Sequence, residues 1–174
     1  MRALVFLCLF LFPSFVNAKT YVFDDKCKVN EVSFKVGTNI GSTIVGKGGK
    51  INGNVTGDPT GFAGDLSLNL ADFDTDSALR NKHFKKYLNV DQKPKATLRL
   101  WRHDPWDEKK EFEWHGLLIL NGSGHEVSGK ATVTGQSLVA TFNLNIDDFH
   151  IEQPSFLGVK VNKDVEITVK AEAN

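Results

Sequence analysis

The 174-residue chain is poor in cysteine, proline and methionine, and it has no charge surplus. Lys and Arg together number 21, against 21 Asp and Glu. A general nucleic-acid binder needs a basic excess to neutralise phosphates, so the balance argues against that class. Of the two Cys, Cys8 falls in an N-terminal apolar stretch, which leaves Cys27 alone in the remainder. A disulfide framework is therefore excluded. Cys27 reads as a small buried hydrophobe, with an intermolecular bridge or a reactive thiol as the alternatives. Five Pro and one Met rule out a Pro-rich linker and a Met-rich adaptable surface. Beyond residue 18 no apolar run approaches the roughly 20 residues of a membrane helix, so no stable membrane insertion is expected.

What is present begins with the first 18 residues. Arg2 precedes an apolar run from Ala3 to Phe12, then Pro13, then Val16-Asn17-Ala18 with small residues where a cleavage site needs them. This pattern predicts a secretory signal peptide over 1–18, cut after Ala18, and an exported domain over 19–174. With Cys8 and Cys27 both outside any lipoprotein-type setting, a soluble exported protein without a lipid anchor is the expectation.

The rest of the chain alternates with a period of two. Phe62, Leu66, Leu68 and Leu70 share one parity against Asp65, Ser67 and Asn69, and Leu138, Ala140, Phe142, Leu144 and Ile146 oppose Thr141, Asn143 and Asn145. The same holds for Ala96–Leu100, Phe112–Leu120, Val127–Val133, Val165–Val169 and Val29–Val36. A further segment, Ser42–Val55, is interrupted at Gly46-Lys47-Gly48-Gly49. Such alternation makes strands with one apolar and one wet face. Turn residues separate them at Asp58-Pro59-Thr60-Gly61, His103-Asp104-Pro105-Trp106-Asp107, Asn121-Gly122-Ser123-Gly124 and Gly135-Gln136. The sum is about eight antiparallel strands, hence an all-β barrel or sandwich. One stretch departs: Leu79, His83, Phe84, Tyr87 and Leu88 recur at helical spacing over Ser77–Leu88, with Asp76 or Ser77 as cap, predicting a short helix across one end.

Motifs for chemistry are weak. Gly41–Lys47 resembles a phosphate loop but Gly48 stands where Ser or Thr should bind magnesium, and no helix follows. Asp72, Asp74 and Asp76 open like a calcium loop, yet Ser77 and His83 occupy its Gly and Glu positions. The five His are scattered without zinc-site spacing, and no Gly-x-Ser-x-Gly elbow exists. No catalytic set and no metal or organic cofactor is predicted.

One ordered set of motifs is more specific. Asp74-Thr75, Arg80-Asn81-Lys82-His83-Phe84, Tyr87-Leu88 and Pro94-Lys95-Ala96-Thr97-Leu98 together resemble the signature stretch of the YceI-like, polyisoprenoid-binding proteins. The segments Asp24–Val36, Gly46–Gly53, Phe112–Leu118 with Val127, Asp148–Ser155 and Val159–Ile167 are similar to the family's other strands and tail. Asn81 stands where the family usually has Asp, and Lys93 where it has an aromatic residue. The resemblance implies an eight-stranded antiparallel lipocalin-like barrel. It further implies a periplasmic protein that holds a long isoprenoid-type or fatty chain inside the barrel, without catalysis.

By parity the candidate lining is Phe34, Val36, Leu66, Leu68, Leu70, Leu98, Leu100, Phe112, Trp114, Leu118, Leu120, Val133, Phe142, Leu144 and Ile167. The alternative for each is filling the closed end of the barrel. Arg80 and His83, which match the family's helix motif, either meet a polar headgroup or fasten the helix by hydrogen bonds. The partner expected is an apolar lipid. Trp101 and Trp106, read as exposed, motivate a second reading: a side-chain-filled barrel acting through its outer face or as a homodimer. A third, an enzyme working on a bound lipid, would centre on His83.

Overall fold

The computed structural model describes residues 18–58, 60–101 and 106–174. Residues 1–17 of the predicted leader, Pro59 and most of the His103–Asp107 turn lie outside the described residues.

Among the described residues, eleven strands form one antiparallel sheet. They are β1 (Lys19–Phe23), β2 (Asn30–Thr38), β3 (Thr43–Gly49), β4 (Asn52–Asp58), β5 (Gly61–Asn69), β6 (Lys95–Leu100), β7 (Glu111–Leu120), β8 (Ser123–Thr134), β9 (Ser137–Asn145), β10 (Ser155–Phe156) and β11 (Val159–Glu172). The hydrogen-bonded order is β1-β4-β5-β6-β7-β8-β9-β11-β2-β3, with β10 paired to β11. Eight strands were expected, and the difference has a local cause. Register continues from Val32↔Gly49 in the β2–β3 pair to Phe23↔Gly53 in the β1–β4 pair. Between them the Asn30 side chain donates to the Ile51 carbonyl and accepts from the Ile51 amide, both at 2.8 Å. So β1 and β2 are one strand bulged at 24–29, and β3 and β4 are one strand bent at Lys50-Ile51. Counted that way, and setting aside the two-residue β10, eight strands curl into the lipocalin-like barrel.

The bend does not fall at Gly46–Gly49, as expected from the glycines. Those residues stay in β3 for a packing reason. A Cβ on Gly46 would sit inside the Phe34 ring, and one on Gly49 would lie 2.6 Å from the Phe73 ring. The missing side chains give two aromatic rings a place to lie.

Turn chemistry follows the sequence at Asn121-Gly122, where both residues have positive φ (50° and 79°) and join β7 to β8. This is the I′ pattern that matches strand twist. The helix α1 (Ala78–Tyr87) starts at Ser77, whose hydroxyl accepts from the Arg80 amide at 3.4 Å. It buries none of its ten residues completely. A helix of that length is marginal alone, so its place depends on tertiary contacts. Among the described residues no helix is long and apolar enough to cross a membrane.

Candidate ligand cavity

The inward parity of the strands encloses two adjoining apolar chambers that share part of their walls. The larger, about 520 Å³, lies beneath α1. The smaller, about 130 Å³, occupies the opposite end. Val32, Leu68, Ala96, Leu118, Phe142 and Ile167 line both and form the waist between them.

All fifteen residues picked by parity stand on these walls. Phe34, Val36, Leu70, Leu120 and Leu144 line the larger chamber. Leu66, Leu98, Leu100, Phe112, Trp114 and Val133 line the smaller. Leu68, Leu118, Phe142 and Ile167 belong to the waist. Leu68, Leu98, Leu100, Phe112, Phe142, Leu144 and Ile167 are only half-buried although they point inward. The surface they keep accessible faces the cavity.

Parity reading missed several wall residues. Val32, Val165 and Val169 share the parity of neighbours that were chosen, and Ala96, Ala131, Leu138 and Ala140 lay in recognised alternations. Ile151, Pro154, Phe156 and Val159 come from the irregular tail, where no periodicity marks an inward side.

The small chamber is walled by aromatic rings. Trp106 meets Tyr21 at 6.1 Å and Phe112 at 5.7 Å between centroids, and Phe62 meets Phe112 at 5.4 Å. Trp106 is therefore half-buried in the wall and is not an exposed docking residue. Trp101 is half-buried too, beside a shallow hollow lined by His115, Glu126, Val127 and Ser128. The outer-face reading loses the two exposed tryptophans that motivated it.

The large chamber is roofed by α1. Phe84 stacks on Phe34 at 5.2 Å with planes 4° apart, and Phe73 leans on both. Such pairs add about 0.5–1.5 kcal/mol each beyond area burial. The helix entry is tied by a compact polar knot. Asn81 Oδ1 accepts from the Thr75 amide (2.8 Å) and hydroxyl (2.7 Å), while its Nδ2 donates to Asp74 Oδ1 (2.8 Å). Asp74 exchanges two backbone hydrogen bonds with Lys47 of β3. The Asn81 amide, aided by backbone amides, holds the Asp74 carboxyl below its ordinary value.

Arg80 donates to the Thr75 carbonyl at 2.5 Å, so it fastens the helix. His83 lies against Phe156 at 5.6 Å. Both also line the large chamber. Asn81 is the residue that departs from the family pattern, and here its amide fits a neighbouring carboxylate that an Asp could not. Lys93, the second departure, donates to the Asn121 carbonyl at 2.7 Å and so ties the loop after α1 to the β7–β8 turn. Cys27 is half-buried, its sulfur 3.3 Å from the Asp24 amide. Among the described residues no group of three His, Cys, Asp or Glu could hold a metal ion.

An antiparallel barrel roofed by a short helix, with an apolar two-chambered interior, defines a lipocalin-like protein. The YceI-like domain model matches residues 21–173, and the chain belongs to that family. Three solved structures share the fold. A crystal structure of Burkholderia cenocepacia BcnA is 17% identical, with a TM-score of 0.67, covering 83% of this chain and 96% of that one. A polyisoprenoid binding domain from Saccharophagus degradans, implicated in plant cell wall breakdown, is 13% identical with a TM-score of 0.64, covering 88% of this chain and 98% of its own. The Campylobacter jejuni YceI protein is 17% identical with a TM-score of 0.59, covering 74% and 83%. No curated protein sequence matches the chain.

Proposed function

We propose that this protein is exported to the periplasm and there carries one long apolar chain, of isoprenoid or fatty type, inside the barrel without altering it. The observation that carries the reading is the pair of adjoining apolar chambers, sharing six wall residues, that extend from beneath α1 to the aromatic end. An extended chain has no charge to steer it and needs only apolar walls. Burying roughly 400 Å² of it yields about 10 kcal/mol, offset by association costs of similar order. Binding is then tight, non-directional and bounded in length by the closed end. The polyisoprenoid binding domain among the structural relatives supports this class of ligand. Arg80 and His83 serve the helix and the chamber rim in this reading, with no catalytic role.

Titration with a long isoprenoid alcohol tests it. Trp106 and Trp114 line the small chamber, so a chain that reaches the end changes their emission. Saturable one-to-one binding with a tryptophan response is expected. An unchanged emission together with no retained alcohol would refute the proposal.

A further inference from the structure

The cavity reaches solvent between α1 and β10: Leu79 and Phe156 both line the large chamber and are 50% and 51% exposed. The two most exposed large apolar side chains among the described residues lie on the tips beside it. Leu157 is 87% exposed at the β10–β11 tip, and Ile40 is 67% exposed at the β2–β3 tip. The two tips are joined, since the Asn39 amide donates to the Lys160 carbonyl (2.9 Å) and the Lys160 amide to Asn39 Oδ1 (2.8 Å). The His83–Phe156 ring contact ties α1 to the same tip.

The charges on these segments are cationic, with Asp74, Asp76 and Glu152 just outside them. Residues 39–42, 78–87 and 155–160 carry Arg80, Lys82, Lys85, Lys86 and Lys160 and no acidic residue, in a chain whose total balances to zero. A second observation is independent of charge. Leu157 and Gly158 form a two-residue turn with φ of 49° and 83°, the same pattern that Asn121-Gly122 fills elsewhere. Left-handed backbone disfavours a bulky Leu and favours Asn. At this tip the chain places an exposed leucine where turn chemistry asks for asparagine.

We infer that this rim docks the barrel on an anionic lipid bilayer, with Leu157 and Ile40 entering the interface and the lysines of α1 meeting the headgroups. Thin apolar tips ringed by cations suit a soft charged interface, where apolar side chains sink among acyl chains and cations stay at headgroup level. The opening between them then faces the membrane from which an apolar chain would be taken or to which it would be given. That purpose rests on the carrier reading; the docking itself rests on the rim.

Co-sedimentation with phospholipid vesicles tests it, comparing neutral phosphatidylcholine with a three-to-one mixture containing phosphatidylglycerol. Binding to the anionic vesicles, weakened by added salt, is expected. Lys82→Gln/Lys85→Gln/Lys86→Gln should weaken it about a hundredfold, at about fivefold per charge. Leu157→Asn should keep or raise thermal stability while weakening vesicle binding roughly tenfold or more. Binding to neither vesicle, equal binding to both, or retention of full affinity by both variants overturns the inference, and the first would point to a protein partner for this rim. Chain content of the same preparations, read by extraction and mass spectrometry, is a separate readout. Docking without bound chain contradicts the carrier reading alone, and bound chain without docking contradicts this inference alone.

Discussion

The knot at the start of α1 makes a quantitative prediction through Asn81. Thr75 is 3% exposed, and Asn81 is the acceptor for both its amide and its hydroxyl. Asn81→Ala leaves two buried donors unpaired, each costing about 1–3 kcal/mol, so a loss of about 2–6 kcal/mol is expected. The loss is concentrated in opening of α1, because the strand ladders make no use of Asn81. Native-state hydrogen exchange should show α1 amides losing protection by that amount while the β7–β8 ladder changes little. Asn81→Asp gives the complementary result. It keeps an acceptor for Thr75 but sets a second carboxylate against Asp74, across what is now a 2.8 Å hydrogen bond. In the wild type, Asp74 has a lowered pKa, so its contribution is present above its unfolded value and lost as pH falls below about 4. In the variant the paired carboxylates raise one pKa, so the sign reverses: the helix tightens in acid and loosens as pH rises through the raised value. Unchanged α1 protection in Asn81→Ala, or the same pH trend in wild type and Asn81→Asp, would refute the knot as the fastening of the roof.

Three further outcomes follow from the cavity. Leu68→Arg puts an unpaired cation at the waist and should abolish retention of an isoprenoid alcohol in an equilibrium dialysis assay, because the burial is uncompensated. Gly46→Val drives a side chain into the Phe34 ring and should lower stability by about 1–3 kcal/mol in urea unfolding, with loss of the Phe34–Phe84 stack. Trp106→Ala should leave the oligomeric state unchanged by light scattering while enlarging the small chamber, since Trp106 is a wall residue.

Period-two alternation was enough to place every chosen lining residue on the cavity wall, because strand parity and the inside of a barrel are the same geometric fact. The helix was legible as well, from its spacing and the Ser77 cap. What alternation could not show was continuity. Residues 24–29 and the Lys50-Ile51 bend split two long strands, and those breaks depend on Asn30 binding Ile51 across the pair. Glycine at 46 and 49 looked like a turn because its partner rings, Phe34 and Phe73, lie far away in sequence. Trp106 looked exposed because it lay in a turn, whereas tertiary contact with Tyr21 and Phe112 draws it into the wall. The roof's fastening was illegible for a similar reason. It needs Asn81 to face Thr75 and Asp74 across the helix start, a geometry that spacing alone does not fix.

The most direct test of the carrier reading is native mass spectrometry of protein purified without detergent, beside Leu68→Arg handled identically. The wild type should carry one apolar chain per molecule, identified by its mass after release, and the variant should carry none. A wild type that is bare when isolated and stays bare after incubation with long isoprenoid alcohols would contradict the account.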